Sequence, residues 1–312
     1  MDLGLGDRAY VVAGGSRGLG FATAQALVAD GARVVVGARH AGRLAAAVTE
    51  LGPPGAVGVM ADNRSSDAPQ RLVTAAKESF GRLDGALISV GGPPGGSVAE
   101  TSDGAWRDAF ESIFLGAVRM AVTIGAELGD GGSIAFVLSV SVRSPIPSLA
   151  ISNGLRPGLA GVAKSLADEL GPRGIRVNGL LPSRIATGRV AELDARAGDP
   201  DAVRAEVSGR IPLRRYGMPE EFGRVAAFVL SPAAAYVSGA MIPVDGGALR
   251  AILGWSERPG RDHLSFPSGG PGVRPGLPAP GGRTGCGKAR STGRRLRAAP
   301  RAARAHGPGP GR

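Results

Sequence analysis

The sequence predicts an α/β fold that consists of one doubly wound parallel sheet with helices on both faces, followed by a disordered C-terminal tail. Short runs of β-branched residues are apolar throughout, as strands buried on both faces are. Longer segments of helical periodicity separate these runs, and such alternation is typical of a parallel sheet. The periodicity ends near residue 252, so we assign the folded domain to residues 1–252 and the tail to residues 253–312.

The predicted strands and helices alternate along the whole of the folded domain. Strands are predicted over residues 8–13, 33–36, 56–60, 83–90, 133–139, 175–181 and 240–244. Helices are predicted over residues 19–30, 44–51, 68–80, 103–128, 152–170 and 219–230. Gly31, Gly52, Gly81 and Gly171 follow four of these helices, as glycine often does at the C′ position. Because crossovers between parallel strands are right-handed, these elements predict a Rossmann-type doubly wound sheet.

The net charge of +11 belongs almost entirely to the predicted tail. Residues 253–312 carry 12 of the 37 basic residues and two of the 26 acidic ones, a net charge of +10, which leaves +1 for the rest. The tail has few large apolar residues, so burial cannot offset the entropy of ordering it. Its arginine run at residues 294–297 lacks interleaved aromatic residues, so we expect a disordered appendage or read-through extension rather than a nucleic-acid-binding segment.

Cysteine and histidine usage excludes several classes of site. Cys286 is the sole cysteine, so an intrachain disulfide is impossible, and His40, His263 and His306 are too scattered to indicate a metal site. The N-terminus shows no basic segment followed by an apolar one, and no apolar run approaches the ~20 residues that span a bilayer. We therefore expect a soluble, cytoplasmic protein with neither a metal nor a membrane partner.

A glycine-rich turn joins the first predicted strand to the first predicted helix. It includes Gly14, Ser16, Arg17, Gly18, Leu19 and Gly20. Glycines allow the backbone to approach a pyrophosphate closely, and the N-terminus of the following helix presents free N–H groups and the positive end of its dipole. The turn therefore predicts a dinucleotide-binding site.

The Gly-x-x-x-Gly-x-Gly spacing of this turn resembles that of the short-chain dehydrogenase/reductase family. Further matching motifs, spread from about Gly6 to Leu249, are Asp62, Gly91, residues 174–178, Pro182, Thr187, residues 211–213 and residues 244–247. The resemblance implies that Asp62 contacts adenine, that Gly91 ends the turn after strand four, and that Pro182 and Thr187 line the nicotinamide. It also implies an oxidoreductase that acts on a small-molecule substrate.

The end of the second strand bears on the choice between NAD and NADP. Family members that bind NAD usually place an acid there, whereas this sequence has Arg39 and no acid. Arg17 is a second cation for the 2′-phosphate, so NADP(H) is favoured over NAD(H). The predicted cofactor-binding residues are Gly14, Ser16, Arg17, Gly18, Leu19, Gly20, Arg39, Asp62, Gly91, Arg156, Pro182 and Thr187.

The resemblance also locates the family's catalytic Asn-Ser-Tyr-Lys set on this sequence, and three of its four positions are changed. The predicted catalytic residues are Ser139, which retains the serine, Ser152 at the Tyr position and Arg156 at the Lys position, and Ile113 replaces the asparagine. This pattern resembles an atypical branch of the family in which Ser-x-x-x-Arg replaces Tyr-x-x-x-Lys. That branch is usually classed as oxidoreductase.

The substitutions leave two functional hypotheses open. A serine hydroxyl is a far weaker acid than a phenol and arginine does not exchange its proton, so the family's ordinary mechanism cannot operate unaltered. In the first hypothesis, Ser139 and Ser152 orient a carbonyl or alcohol whose proton passes through water, and Arg143 either stabilises an oxyanion or is a solvated loop residue. In the second, the domain binds NADP(H) without turnover, as a sensor or scaffold.

Family resemblance further implies a homo-oligomer, a dimer or a tetramer, built on the helices at 103–128 and 152–170. The apolar residues expected on their exposed faces include Phe110, Phe114, Leu159 and Val162, which would equally suit a monomer core. The predicted lid between residues 186 and 210 matches no specific substrate.

Overall fold

The computed structural model describes residues 2–250 and confirms the doubly wound parallel sheet. Its strands are β1 (Ala9–Ala13), β2 (Arg33–Ala38), β3 (Ala56–Met60), β4 (Gly85–Ile88), β5 (Ser133–Val137), β6 (Arg176–Pro182) and β7 (Met241–Val244). All neighbours are parallel, in the order β3-β2-β1-β4-β5-β6-β7. The winding reverses between β1 and β4, and ligands of such folds bind outside the carboxyl ends of the strands at this point. The predicted tail, residues 253–312, lies outside the described residues.

Nine α-helices lie within residues 2–250. They are α1 (Gly18–Ala29), α2 (Ala41–Leu51), α3 (Ala68–Phe80), α4 (Asp103–Ala109), α5 (Gly116–Glu127), α6 (Ala150–Leu170), α7 (Gly188–Ala197), α8 (Pro200–Arg210) and α9 (Pro219–Leu230). The long helix predicted over 103–128 contains one π-helical turn, Phe110–Leu115, between α4 and α5. The sequence periodicity did not predict α7 and α8, which fill the region expected to be a lid.

Alternate residues of each strand point to opposite faces of the sheet, and both faces are covered. Val11 of β1 lies in a core with α3, α5 and α6, whereas Val12 lies in a second core with α1, α2 and α9. Because both faces are buried, the strands are apolar at successive positions rather than at every second one. Leu159 is fully buried in the first core, so of the two places that the sequence left open for it, the structure supports the monomer core.

The segment Asp103–Glu127 is long and apolar enough, by length and composition alone, to cross a membrane. Buried helices in the core of a globular domain pass the same test. Here Ile113, Met120 and Ile124 are buried against the sheet and its neighbouring helices. The segment also carries an ion pair between Arg119 Nη1 and Glu111 Oε1, at 2.5 Å. The apolar side of this segment is therefore used for packing within the domain.

The amino-terminal edge of the sheet contains a buried arginine. Arg176, at the start of β6, donates from Nη1 to Val229 O at 2.7 Å and from Nη2 to Leu230 O at 3.2 Å and Ser231 O at 2.9 Å. These carbonyls lie at the C-terminus of α9, where the helix leaves its last acceptors unsatisfied and its dipole is negative. The Arg176 guanidinium therefore caps the C-terminus of α9. Burial lowers the pKa of Arg176.

Candidate active site

The glycine turn between β1 and α1 leaves no room for a side chain at Gly14 or at Gly20. Gly14 has a φ of +70°, and a Cβ added to it would lie 2.1 Å from the carbonyl oxygen of Ser89. A Cβ on Gly20 would lie 2.3 Å from the carbonyl oxygen of Gly14. The chain is thus folded tightly upon itself next to the carboxyl end of β4.

The N-terminus of α1 is open to an anion. Its N-cap residue is Arg17, whose side chain makes no capping hydrogen bond within the described chain. The first amides of a helix have no intrahelical acceptors, so a phosphate placed here satisfies them and meets the positive end of the helix dipole. Ser16, Gly18 and Leu19 belong to the same turn and lie half-buried around this point.

Basic side chains surround the approach to this turn. The amides of Gly14 and Gly15 donate to the carbonyl of Gly37, which ties the turn to the end of β2, two residues before the exposed Arg39. A groove of about 460 Å³ runs from Ser16 and Arg17 along α2, where it is lined by Arg43 and Glu50. Arg43 was not among the predicted contacts, although its place in the first turn of α2 after Arg39 was visible in the sequence.

Asp62 lies in a loop after β3 that is packed against the long helix. Its Oδ1 accepts from the amide of Arg64 at 3.0 Å, and its carbonyl accepts from the amide of Ser65. A Cβ on Gly116, the first residue of α5, would lie 2.4 Å from the carbonyl oxygen of Asn63. The close approach of α5 therefore sets the position of the loop that carries Asp62.

The loop after β6 reaches the glycine turn. Thr187 is the N-cap of α7, and its Oγ1 accepts from the amide of Val190 at 3.4 Å. Its methyl group lies 3.7 Å from the position of a Cβ on Gly18. Pro182 ends β6 immediately before this loop, half-buried. The structure thus brings Gly18 and Thr187 together from opposite ends of the folded domain.

The two predicted serines meet through a third that sequence reasoning missed. The amide of Ser141 donates to Ser139 Oγ at 3.1 Å, in a single 3-10 turn after β5. Ser141 Oγ in turn lies 3.1 Å from Ser152 Oγ, and both of these side chains are buried. A serine two positions beyond Ser139 in a short turn was the available signal. Ser139 is half-buried, so it is the more accessible of the three hydroxyls.

Arg156 lies one helical turn beyond Ser152 in α6 and is only 5% exposed. Its Nη1 donates to Val137 O and its Nη2 to Gly91 O, each at 2.5 Å. Val137 is the last residue of β5, and Gly91 lies three residues after β4 with a φ of +76°, which favours glycine. Burial lowers the pKa of Arg156 to about 10, so the guanidinium remains protonated at neutral pH.

Two other residues considered from the sequence have packing roles in the structure. Ile113, at the position predicted to correspond to the asparagine, is buried within the π-helical turn. Arg143 Nη2 donates to Met241 O at 2.9 Å, which ties it to the first residue of β7. Arg143 is therefore held against the edge of the sheet rather than directed at Ser139.

The predicted lid is built around a buried carboxylate. Asp194 of α7 accepts from Arg184 Nη1 at 2.6 Å and from the Tyr216 hydroxyl at 3.1 Å. The side chain of Arg189 lies across Gly92 and donates to the carbonyl of Pro93, in the turn after β4. The lid thus contacts the same turn after β4 to which Arg156 donates a hydrogen bond.

No group of three or more metal-binding side chains gathers within residues 2–250.

Comparison with known proteins identifies the family. A family model described as enoyl-(acyl carrier protein) reductase matches residues 13–248. The chain belongs to the short-chain dehydrogenase/reductase family. It is 33% identical over 241 residues to an uncharacterized oxidoreductase of Methylorubrum extorquens, covering 76% of this chain and 96% of that one. It is 32% identical over 242 residues to the 3-oxoacyl-[acyl-carrier-protein] reductase MabA of Mycobacterium tuberculosis, covering 77% and 92%.

A solved structure extends the comparison to the site. The short-chain oxidoreductase of Pseudomonas aeruginosa PAO1 is 28% identical, with a TM-score of 0.73, and the match covers 78% of this chain and 97% of that one. It is described as NADPH-bound and as containing an atypical catalytic center. As a member of this family, the present chain is an oxidoreductase by relationship, with a fold that binds NAD(P).

The residues present fit a nicotinamide dinucleotide. The glycine cradle and the uncapped N-terminus of α1 suit a pyrophosphate, and Gly91, Arg156, Pro182 and Thr187 surround the carboxyl ends of β4, β5 and β6. Such a cofactor supplies the hydride in reactions of this type, while the protein supplies binding, orientation and electrostatics.

Proposed function

We propose that this protein is an NADP(H)-dependent oxidoreductase that transfers hydride between the cofactor and a small carbonyl or alcohol substrate through a non-standard site. The observation that carries the proposal is the charge near the glycine turn. The end of β2 beside this turn is followed by an arginine, and it has no acidic residue. Arg17 and Arg39 flank the turn, and Arg43 lines the groove beside it. A guanidinium binds the 2′-phosphate of NADP(H) through charge-assisted, bidentate hydrogen bonds. The 2′-hydroxyl of NAD(H) is instead usually bound by an acidic side chain.

In the proposed site, Ser139 and Ser152 act with Arg156. The half-buried Ser139 hydroxyl orients the carbonyl oxygen, and Ser152 is held through Ser141. Arg156 supplies a fixed positive charge and, with Gly91, defines the end of the pocket. A serine cannot release a proton at neutral pH, so the substrate proton passes through water. The family relationship and the Pseudomonas protein with an atypical center support this assignment.

Two measurements test the proposal. Isothermal titration calorimetry should give tight binding of NADPH and weaker binding of NADH. Absorbance at the reduced-nicotinamide band should then fall when NADPH is mixed with members of a panel of aldehydes and ketones, and Ser139→Ala should slow this oxidation. The absence of binding of either dinucleotide at millimolar concentration would refute the cofactor assignment. Tight NADPH binding without oxidation across the panel would instead indicate the sensor or scaffold, which the oxidoreductase relatives do not favour.

We further propose that the protein acts as a homo-oligomer, a dimer or a tetramer, through the surface formed by α4, α5 and α6. Phe110 is 45% exposed and stacks on Phe114 with ring centroids 5.1 Å apart. Trp106 and Leu155 lie beside Phe110 around a shallow depression. An apolar patch of this kind suits contact with a second copy of the chain. Light scattering of wild type and of Phe110→Glu tests this, because the substitution should lower the measured molar mass.

We also propose a cytoplasmic location without membrane or nucleic-acid partners, which the near-neutral charge of residues 1–252 supports.

A further inference from the structure

Arg156 is a buried positive charge for which the described chain supplies no acidic partner. Both of its hydrogen-bond acceptors, Val137 O and Gly91 O, are neutral backbone carbonyls. Within residues 2–250, no carboxylate forms an ion pair with it, and desolvation is the sole cause of its lowered pKa. Two carbonyl dipoles compensate a unit charge only in part, so the carboxyl ends of β4 and β5 are electropositive where Arg156 contacts them.

The side chains around Arg156 add no negative charge. Ser139, Ser141 and Ser152 are neutral hydroxyls at physiological pH. On the lid, the guanidinium of Arg189 lies over Gly92, beside the turn that Arg156 contacts, and its acidic partner Glu192 is 3.5 Å from its Nη1. Asp194 is occupied by Arg184 and Tyr216 within the lid. The site therefore combines one uncompensated cation with polar groups that do not ionise.

NADP⁺ and NADPH present the same phosphates to the protein and differ in the charge of the nicotinamide ring. The ring of NADP⁺ is positive, and that of NADPH is neutral. We propose that the uncompensated charge of Arg156 makes this site selective for the reduced cofactor, so that the protein binds NADPH more tightly than NADP⁺. The inference rests on the proposed NADP(H) function. It holds equally for an enzyme that works as a reductase and for a binding protein that responds to reduced cofactor.

The expected selectivity is about tenfold. This is the order of effect that Coulomb repulsion between two like charges has on an equilibrium constant in a protein site with an effective dielectric constant of about 20. A tenfold preference for the reduced form raises the midpoint potential of the bound two-electron couple by about 30 mV relative to the free couple. Both quantities depend on the charge at residue 156 and not on the contacts that hold the phosphates.

The test compares the ratio of dissociation constants, NADP⁺ over NADPH, across four full-length proteins by calorimetry. Wild type and Arg156→Lys, which keeps the charge, should both give a ratio of about ten or more. Arg156→Met, which keeps much of the length but removes the charge, should give a ratio at least fivefold smaller. Arg143→Gln is the matched control, because it removes an exposed arginine that also donates to a backbone carbonyl, and it should leave the ratio unchanged.

Adenosine 2′,5′-bisphosphate, which lacks the nicotinamide, shows whether the rest of the site is intact in each variant and should bind with unchanged affinity. Should Arg156→Met fail to fold, Ser152→Asp provides a second route, because a carboxylate one helical turn before Arg156 should compensate its charge and also reduce the ratio. Equal affinities in wild type, or an unchanged ratio in the folded charge-altering variants, would overturn the inference while leaving the proposed function standing. Failure of wild type to bind either dinucleotide would refute the proposed function itself.

Discussion

Two buried arginines lie at opposite ends of the parallel strands, and they show how the same side chain can support stability at one end and, in the function that we propose, a cofactor site at the other. Arg176 and Arg156 are 6% and 5% exposed, and each donates to backbone carbonyls without an acidic partner in the described chain. The acceptors of Arg176 belong to the C-terminus of a helix, whose dipole compensates the cation. Those of Arg156 belong to the last residue of β5 and to the turn after β4, at the carboxyl ends of the strands. What surrounds a buried charge, rather than its burial, therefore distinguishes a structural role from a functional one.

The largest effect expected from this comparison is on stability at the amino edge. Arg176→Met removes three buried charge-assisted hydrogen bonds at the end of α9 and leaves the Val229 carbonyl without the Arg176 donor, so it should lower the free energy of unfolding by about 3 kcal/mol. Arg156→Met removes two such bonds, one of them to the exposed turn at Gly91, and should cost less. Urea denaturation followed by circular dichroism measures both. A larger loss for Arg156→Met would reverse the assignment of roles.

A second stability test uses the pH dependence that the buried tyrosine of β1, Tyr10, should give to the free energy of unfolding. Burial raises the pKa of Tyr10 in β1 to about 12, against 10.0 for the exposed side chain. Above pH 10 the unfolded chain ionises this phenol while the folded protein does not, so stability is lost as the pH rises from 10 to 12. The loss attributable to Tyr10 should be about 2–3 kcal/mol. Tyr10→Phe should flatten this part of the stability profile, and an identical slope in both proteins would contradict it.

At the carboxyl edge, charge changes should act on the cofactor rather than on stability. The double substitution Arg17→Gln with Arg39→Gln removes two exposed cations and should weaken NADPH binding about thirtyfold, with little change for NADH. Arg224→Gln serves as the control, since it removes an arginine from α9. Calorimetry with both dinucleotides measures the effect. Equal weakening of NADPH and NADH would show that the two arginines do not recognise the 2′-phosphate.

A backbone contact should transmit a smaller effect to the adenosine end of the site. Gly116→Ala places a Cβ 2.4 Å from the carbonyl oxygen of Asn63 and must displace the loop that carries Asp62. Adenosine 2′,5′-bisphosphate should bind about fivefold more weakly, whereas reduced nicotinamide mononucleotide should be unaffected. Gly161→Ala in α6 meets no atom within 4 Å, so it should leave both affinities unchanged and slightly favour its helix.

The smallest expected effect is that of removing the basic C-terminal residues. Every candidate cofactor-binding residue lies between Gly14 and Thr187, and residues 253–312 hold most of the net charge. Deletion of residues 254–312 should therefore leave the dissociation constant for NADPH unchanged in calorimetry. A loss of affinity greater than threefold would mean that the tail contributes to the site or to the fold.

The sequence by itself determined the order of the seven strands and of the helices other than α7 and α8, and also the position of the glycine turn, because these depend on local periodicity and local backbone requirements. Apolar strands such as β1 and β6 can be predicted from the sequence alone. The turn between β1 and α1 requires glycine at positions 14 and 20, so it too can be predicted from the sequence. The assignment of Ser152 and Arg156 to the family's Tyr and Lys positions likewise rests on counting between neighbouring motifs, and it stays a prediction.

Only the tertiary structure decided what those residues contact. The Ser141 hydroxyl that meets Ser152, the Met241 carbonyl that holds Arg143, and the approach of Thr187 to Gly18 all join residues far apart in sequence or on different elements. The burial of Leu159 likewise depended on which face of α6 turned toward the sheet. Long-range contacts of this kind arise from packing of the whole domain, and no pattern within one segment encodes them.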